Sequence, residues 1–156
     1  AFNFPGIKIL QFAFGNSGTP EFLPHRYPRN CVVYTGSHDN DTTKGFFDKE
    51  KHSGTDVYTS AQKYCHYYGE DLRFAIICLA YASVANTVII PMQDLLNLGS
   101  EARMNMPGQA HGNWTWRFAW HQIDENLSRT YHDLAELYER LPSEPELDVE
   151  IDVEHP

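Results

Sequence analysis

Cysteine is scarce in this chain, and the three present, Cys31, Cys65 and Cys78, are odd in number and never spaced as C-x-x-C. They read as buried thiols of a reducing compartment, and the chain is expected to be cytoplasmic. Basic residues are few: 12 Lys and Arg stand against 21 Asp and Glu, giving a net charge of −9. Nucleic acid and anionic membrane surfaces both need clustered positive charge, so neither is expected as a partner. No apolar run is long enough to span a bilayer, and no signal peptide is visible. His52 and His66 make no metal-ligand spacing with their neighbours, and no cofactor or metal is expected. The chain also lacks an initiator Met and opens on Ala1-Phe2-Asn3-Phe4-Pro5-Gly6, so a fragment is expected.

What is there belongs to an ordinary globular protein. The 156 residues suffice for one domain with a core, and 42% apolar with 21% charged residues fits that class. Aromatics reach 13%, which suits a site that stacks on sugar rings and suits a dense core equally well. From Pro142 the chain turns acidic, with Glu144, Glu146, Asp148, Glu150, Asp152 and Glu154 alternating with apolar residues. Residues 142–156 are expected to be a solvated, disordered tail, and residues 1–141 the folded part.

Within 1–141 three strands are expected, at Ile7 to Phe14, Cys31 to Tyr34 and Thr87 to Ile90. Thr19 to Asn30 carries three prolines and reads as a loop. Helical segments are expected over Asp41 to Lys51, Val57 to Tyr68, Asp71 to Asn86 and Ile123 to Arg140, the third of them buried on most sides. No hairpin turn joins the strands, and each is followed by a long connection. This is the grammar of an α/β fold with parallel strands, which puts a site at their carboxyl ends.

The stretch Tyr34-Thr35-Gly36-Ser37-His38-Asp39-Asn40-Asp41-Thr42-Thr43 lies at such an end. His38 and Asp39 leave a β-branched, aromatic strand through a small-residue turn, where enzymes of this class tend to place chemistry. Asp39 to Thr43 also suits the start of the next helix, with Asp41 as a capping residue. Gln93, Asp94 and the long Gly99–Arg117 connection complete the expected site.

Three phrases resemble the 4-alpha-glucanotransferase family, also known as amylomaltases or disproportionating enzymes. They are Leu10-Gln11-Phe12-Ala13-Phe14, Val32 to Thr42, and Pro91-Met92-Gln93-Asp94 running through Gly99-Ser100-Glu101-Ala102-Arg103-Met104-Asn105 to Gly112-Asn113-Trp114-Thr115-Trp116-Arg117. The resemblance covers roughly residues 3 to 140. It implies a (β/α)8 barrel of which this chain holds the carboxyl-terminal part, about strands six to eight, since a whole barrel takes about 250 residues. It implies retaining transglycosylation on maltooligosaccharides and other α-1,4-glucans. Asp39 matches the carboxylate that stabilises the transition state, and His38 and Asn105 match substrate contacts. The nucleophile and the acid/base belong to earlier strands and are absent here, so the chain alone is expected to be inactive. Asp94 reads as a buried group at the mouth that organises the final loop. Asn97 stands where the family usually has a small residue, Phe46-Phe47 where a tryptophan-bearing pair is usual, and Arg26 where an asparagine is common. A non-catalytic fragment or carbohydrate-binding remnant is the alternative reading, and a hydrolase of the α-amylase type a third.

Overall fold

A computed structural model describes residues 2–142. Three strands, β1 (Gly6–Ile9), β2 (Cys31–Tyr34) and β3 (Thr87–Ile89), form one parallel sheet in that order. Ile9 lies level with Tyr34, and Tyr34 with Ile89. The three carboxyl ends therefore finish on one line, and the residues that follow them gather at one rim.

Strand β1 stops five residues before the expected Phe14, and Leu10–Phe12 forms a 3-10 turn. Leu10, Gln11, Ala13 and Phe14 are all buried. A strand sends alternate side chains to opposite faces and cannot bury that set on one side, whereas a helical turn can. The loop to β2 holds two further 3-10 turns, at Pro20–Phe22 and Pro24–Arg26, each opened by the proline that blocks a longer helix.

Between β2 and β3 run three helices. Helix α1 (Thr43–Ser53) is capped by Thr42, whose Oγ1 accepts the Gly45 amide at 3.0 Å, and ends at Gly54 with φ 66°. Helix α2 (Asp56–Cys65) follows. Helix α3 (Leu72–Tyr81) is capped by Asp71, and none of its residues is exposed, as its apolar sequence predicts. It ends before the expected Asn86 because Arg140 takes over the next carbonyls, donating to Tyr81, Ser83 and Ala85 at 2.7, 2.7 and 3.1 Å. After β3 come a single-turn helix, α4 (Met92–Leu95), and the terminal α5 (Glu125–Leu137), capped by Asp124. The tail expected over residues 142–156 lies, from residue 143 on, outside the described residues. No helix among those described is long and apolar enough to cross a membrane.

The core lies where α1, α2 and α3 meet the sheet. Cys31 and Val33 of β2 point into it, against Phe47, Ala61, Leu72 and Ile76. Phe47 thus anchors α1. Cys31 is a buried free thiol, and Cys65 and Cys78 are half-buried ones. Only β2 is buried on alternate residues; β1 and β3 are edges, with Ile7 61% and Ile89 41% exposed, so the apolar third strand is not the buried one its composition suggests. No further strand among the described residues pairs with either edge.

Two open parallel edges with apolar side chains promote self-association. The isolated chain is expected to bind an apolar dye and to scatter light increasingly with concentration. A monomer that binds no dye at micromolar concentration would contradict this.

Candidate active site

The turn after β2 is held by buried neighbours. Gly36 faces Gln11 so closely that a Cβ there would collide with the amide nitrogen of Gln11. That amide, 3% exposed, donates to the carbonyl of Asp41 at 2.9 Å and so ties the rim of β1 to the far end of the turn. Asn40 folds back to accept the Ser37 amide and hydroxyl at 3.0 and 2.6 Å. Between these braces, His38 and Asp39 are held out to solvent.

The connection from Gly99 onward packs over this turn. The Asn105 amide nitrogen donates to the carbonyl of His38 at 3.1 Å, and Asn105 Nδ2 donates to Asp39 Oδ1 at 2.5 Å. His38 Nε2 lies 3.3 Å from the same oxygen. Asp39 Oδ2 receives no hydrogen bond from the described residues. The three residues singled out by sequence, His38, Asp39 and Asn105, are thus brought together in one half-exposed cluster. Arg103 locks it from the backbone side, donating to the carbonyls of Asp39 and Asn105 at 2.6 and 2.8 Å. Trp114 stacks obliquely on His38, with ring centroids 5.1 Å apart. Its φ of 62° is unusual for so bulky a residue, and its amide is fixed to the carbonyl of Met104 at 2.8 Å. Strain of this kind, about 1–3 kcal/mol, collects at functional sites.

Beside the cluster is a cavity of about 160 Å³, lined among others by His38, Asp41, Gln93, Arg103, Met104 and Trp114. Asp39 and Asn105 stand outside its lining. Its volume is below the ~300 Å³ of a complete small-molecule site. Sequence reading singled out neither Gln11, Arg103 nor Trp114 individually. Their contacts bridge distant parts of the chain, and the length of the Gly99–Arg117 connection was the one signal that pointed towards the last two.

Two expected roles are corrected. Asp41 does not cap α1, which Thr42 does; its Oδ2 instead accepts the Ser100 hydroxyl at 2.8 Å and joins the two loops. Gly45 allows this approach, since a Cβ there would strike the Ser100 hydroxyl. Asp94 does not bond to the final loop. Only 1% exposed, it accepts the Thr35 hydroxyl at 2.5 Å and the Thr43 amide and hydroxyl at 2.7 and 2.6 Å. Its neighbour Gln93 reaches the final loop, donating to the carbonyl of Ala102 at 3.2 Å. Among the remaining candidates, His25 and Arg26 are exposed, with His25 Nδ1 2.8 Å from the hydroxyl of Tyr64. His52 and His66 are exposed as well. His132, Asp133 and Glu136 bring ligand atoms within 4.8 Å of one another on the exposed face of α5.

Burial pushes the Asp94 carboxyl above its ordinary pKa, against the pull of the Thr35 and Thr43 hydrogen bonds. A carboxyl whose folded value is raised contributes stability that is fully present below its unfolded value, about 3.9, and lost as pH rises through the folded value. Asp94→Asn should therefore flatten part of the stability-versus-pH curve just above pH ~4, read as urea midpoints by circular dichroism. Wild type and variant with parallel curves would refute the raised value. Asp94→Ala leaves three donors without an acceptor and should cost roughly 3 kcal/mol or more at any pH.

Comparison with known proteins follows the same outline. The sequence model of the family described as 4-alpha-glucanotransferase matches residues 1–123. The chain is 45% identical over 144 residues to the 4-alpha-glucanotransferase of Synechocystis sp., covering 89% of this chain and 27% of that protein. It is 45% identical over 141 residues to a chloroplastic/amyloplastic 4-alpha-glucanotransferase of Arabidopsis thaliana, covering 88% and 24%. Among solved structures it is similar to amylomaltase from Streptococcus agalactiae in complex with acarbose, with a TM-score of 0.81 and 33% identity, over 88% of this chain and 28% of that one. The chain spans about a quarter of the length of these relatives.

Proposed function

The chain belongs to the 4-alpha-glucanotransferase family, and from that premise we propose that it forms part of the catalytic site of an enzyme that transfers segments of α-1,4-glucan to a glucose or glucan acceptor. Residues 1–141 serve as the carboxyl-terminal part of a (β/α)8 barrel, with β1, β2 and β3 as its sixth, seventh and eighth strands. The three free thiols are in keeping with a reducing, cytoplasmic setting.

One observation carries the reading. At the carboxyl end of the central strand, Asp39 offers a carboxylate to solvent while Asn105 and His38 hold its other oxygen. In retaining transfer the ring at the reacting carbon flattens and gains positive charge. A carboxylate accepting a ring hydroxyl strengthens that bond as the charge grows, so it lowers the barrier more than it tightens ground-state binding. Asn105 holds the carboxylate in place at no entropic cost during the reaction. His38, stacked on Trp114, presents a ring nitrogen to the same sugar. Nucleophile and acid/base come from segments beyond this chain's motifs. Acarbose in the Streptococcus agalactiae complex supports an α-glucan-like ligand. The alternative, a non-catalytic carbohydrate-binding remnant, differs in one outcome: it binds glucan and never transfers it.

Two tests follow. The purified 156-residue chain should release no glucose from maltotriose. A hybrid in which residues 3–140 replace the matching stretch of the Synechocystis enzyme should release it. Failure of a folded hybrid, or activity of the chain alone that survives repurification, would overturn the reading.

In that hybrid Asp39→Asn should lower kcat by roughly 10² to 10³, about 3–4 kcal/mol, with a much smaller change in KM. Asp41→Asn, which turns one of its two acceptor oxygens into a donor beside Ser100, should lower the melting temperature instead and leave turnover near normal. Equal loss of turnover in both variants at unchanged stability would show that the wrong carboxylate has been chosen.

A further inference from the structure

Arg73 is a buried arginine that the Asp39 cluster does not touch, with only 7% of its surface exposed. From α3 its guanidinium makes four hydrogen bonds. Nε donates to Asn97 Oδ1 at 3.0 Å, Nη1 to the carbonyl of Asp94 at 2.7 Å and to the Tyr131 hydroxyl at 3.0 Å, and Nη2 to Asp71 Oδ2 at 2.6 Å. The Tyr131 hydroxyl donates in turn to the carbonyl of Leu95 at 3.2 Å. Arg73 and Tyr131 together therefore satisfy the carbonyls of the last two residues of α4. Asn97, a further partner, is the residue at which the chain leaves that helix in a left-handed conformation, φ 57°.

Helix α4 is a single turn of four residues, too short to be stable without tertiary bonds. Yet both loops of the candidate site lean on it. Asp94 holds Thr35 and Thr43 on either side of the His38–Asp39 turn, and Gln93 holds Ala102, three residues before Asn105. Any tilt of α4 moves the two loops relative to each other, and the Asp39–Asn105 hydrogen bond spans the gap between them.

We propose that Arg73, with Asn97 and Tyr131, is a positioning residue: it fixes the orientation of α4 from behind and thereby sets the distance between Asp39 and Asn105. A buried guanidinium suits this task because its rigid, planar fork of five donors reaches four partners here, whereas an ammonium has only three donors. Any effect on glucan transfer rests on the function proposed above; the effect on loop geometry does not.

Amide hydrogen exchange on the 156-residue chain tests the geometry directly. Arg73→Met should speed exchange of the Asn105 amide and of residues 36–43 by about tenfold or more, while α2 keeps its protection. Arg73→Lys should not restore it. Tyr131→Phe, a milder change, should give a smaller increase in the same segments and decides the matter if Arg73→Met fails to fold. Arg140→Met is the matched control, a guanidinium that binds helix-end carbonyls at the opposite end of α3. It should loosen residues 81–87 and leave Asn105 alone. Unchanged exchange at Asn105 in both Arg73→Met and Tyr131→Phe overturns the proposal, as does an equal rise in Arg140→Met or full rescue by lysine. In the active hybrid, Arg73→Met should lower kcat about tenfold with KM changed less than about twofold. A hybrid inactive before any substitution refutes the function and leaves the exchange result to stand or fall by itself.

Discussion

The carboxylate of Asp94 is the point on which the site's geometry turns. One nearly inaccessible side chain, on a helix of one turn, accepts from the residue just after the central strand and from the residue that starts the next helix. A carboxyl buried this deeply needs compensating hydrogen bonds, and three donors converge on this one. The seven residues between Thr35 and Thr43 have no regular structure to hold their ends, so their path depends on this bridge together with the Gln11 amide. Carboxylate, amide and glycine act as one device: Gly36 lets Gln11 approach, Gln11 fixes Asp41, and Asp94 fixes the flanks.

Rigidity at the base contrasts with exposure at the tip. His38 and Asp39 are half-exposed, and their contacts to Asn105 and Trp114 cross between loops far apart in sequence. The transition-state role proposed for Asp39 asks for such a division: a group free to meet a ligand, on a support that does not reorganise when it does.

Much of this was legible in the sequence, for reasons that can be named. Cys31–Tyr34 is readable to the residue because apolar β-branched residues end abruptly at a small-residue turn. His38, Asp39 and Asn105 could be singled out because their phrases match a family, and the structure brings them into contact. The end of β1 was not legible, since an apolar run looks alike whether it continues as a strand or turns into the core as Leu10 does. The roles of Asp41 and Asp94 were misassigned for a different reason. A carboxylate's chemistry is evident from its letter, whereas its partner, Ser100 or Thr35, lies 59 residues away in either case. Arg73 was hidden likewise, with Asp94, Asn97 and Tyr131 lying 21, 24 and 58 residues away, and in sequence it is merely a charged residue in an apolar helix.

Besides the side-chain bonds of Asp39 and Asp41, main-chain carbonyls help to hold the two mouth loops in place. Asn105 bonds to the carbonyl of His38, Trp114 to that of Met104, and Arg103 grips two more carbonyls. Peptide groups are the same whatever side chain they carry, so the path of these loops is largely indifferent to what Met104, Met106 or His111 happen to be. Mutation can thus explore the chemistry of the rim while its architecture stays put. A site laced this way can drift towards new ligands one side chain at a time without first having to be rebuilt.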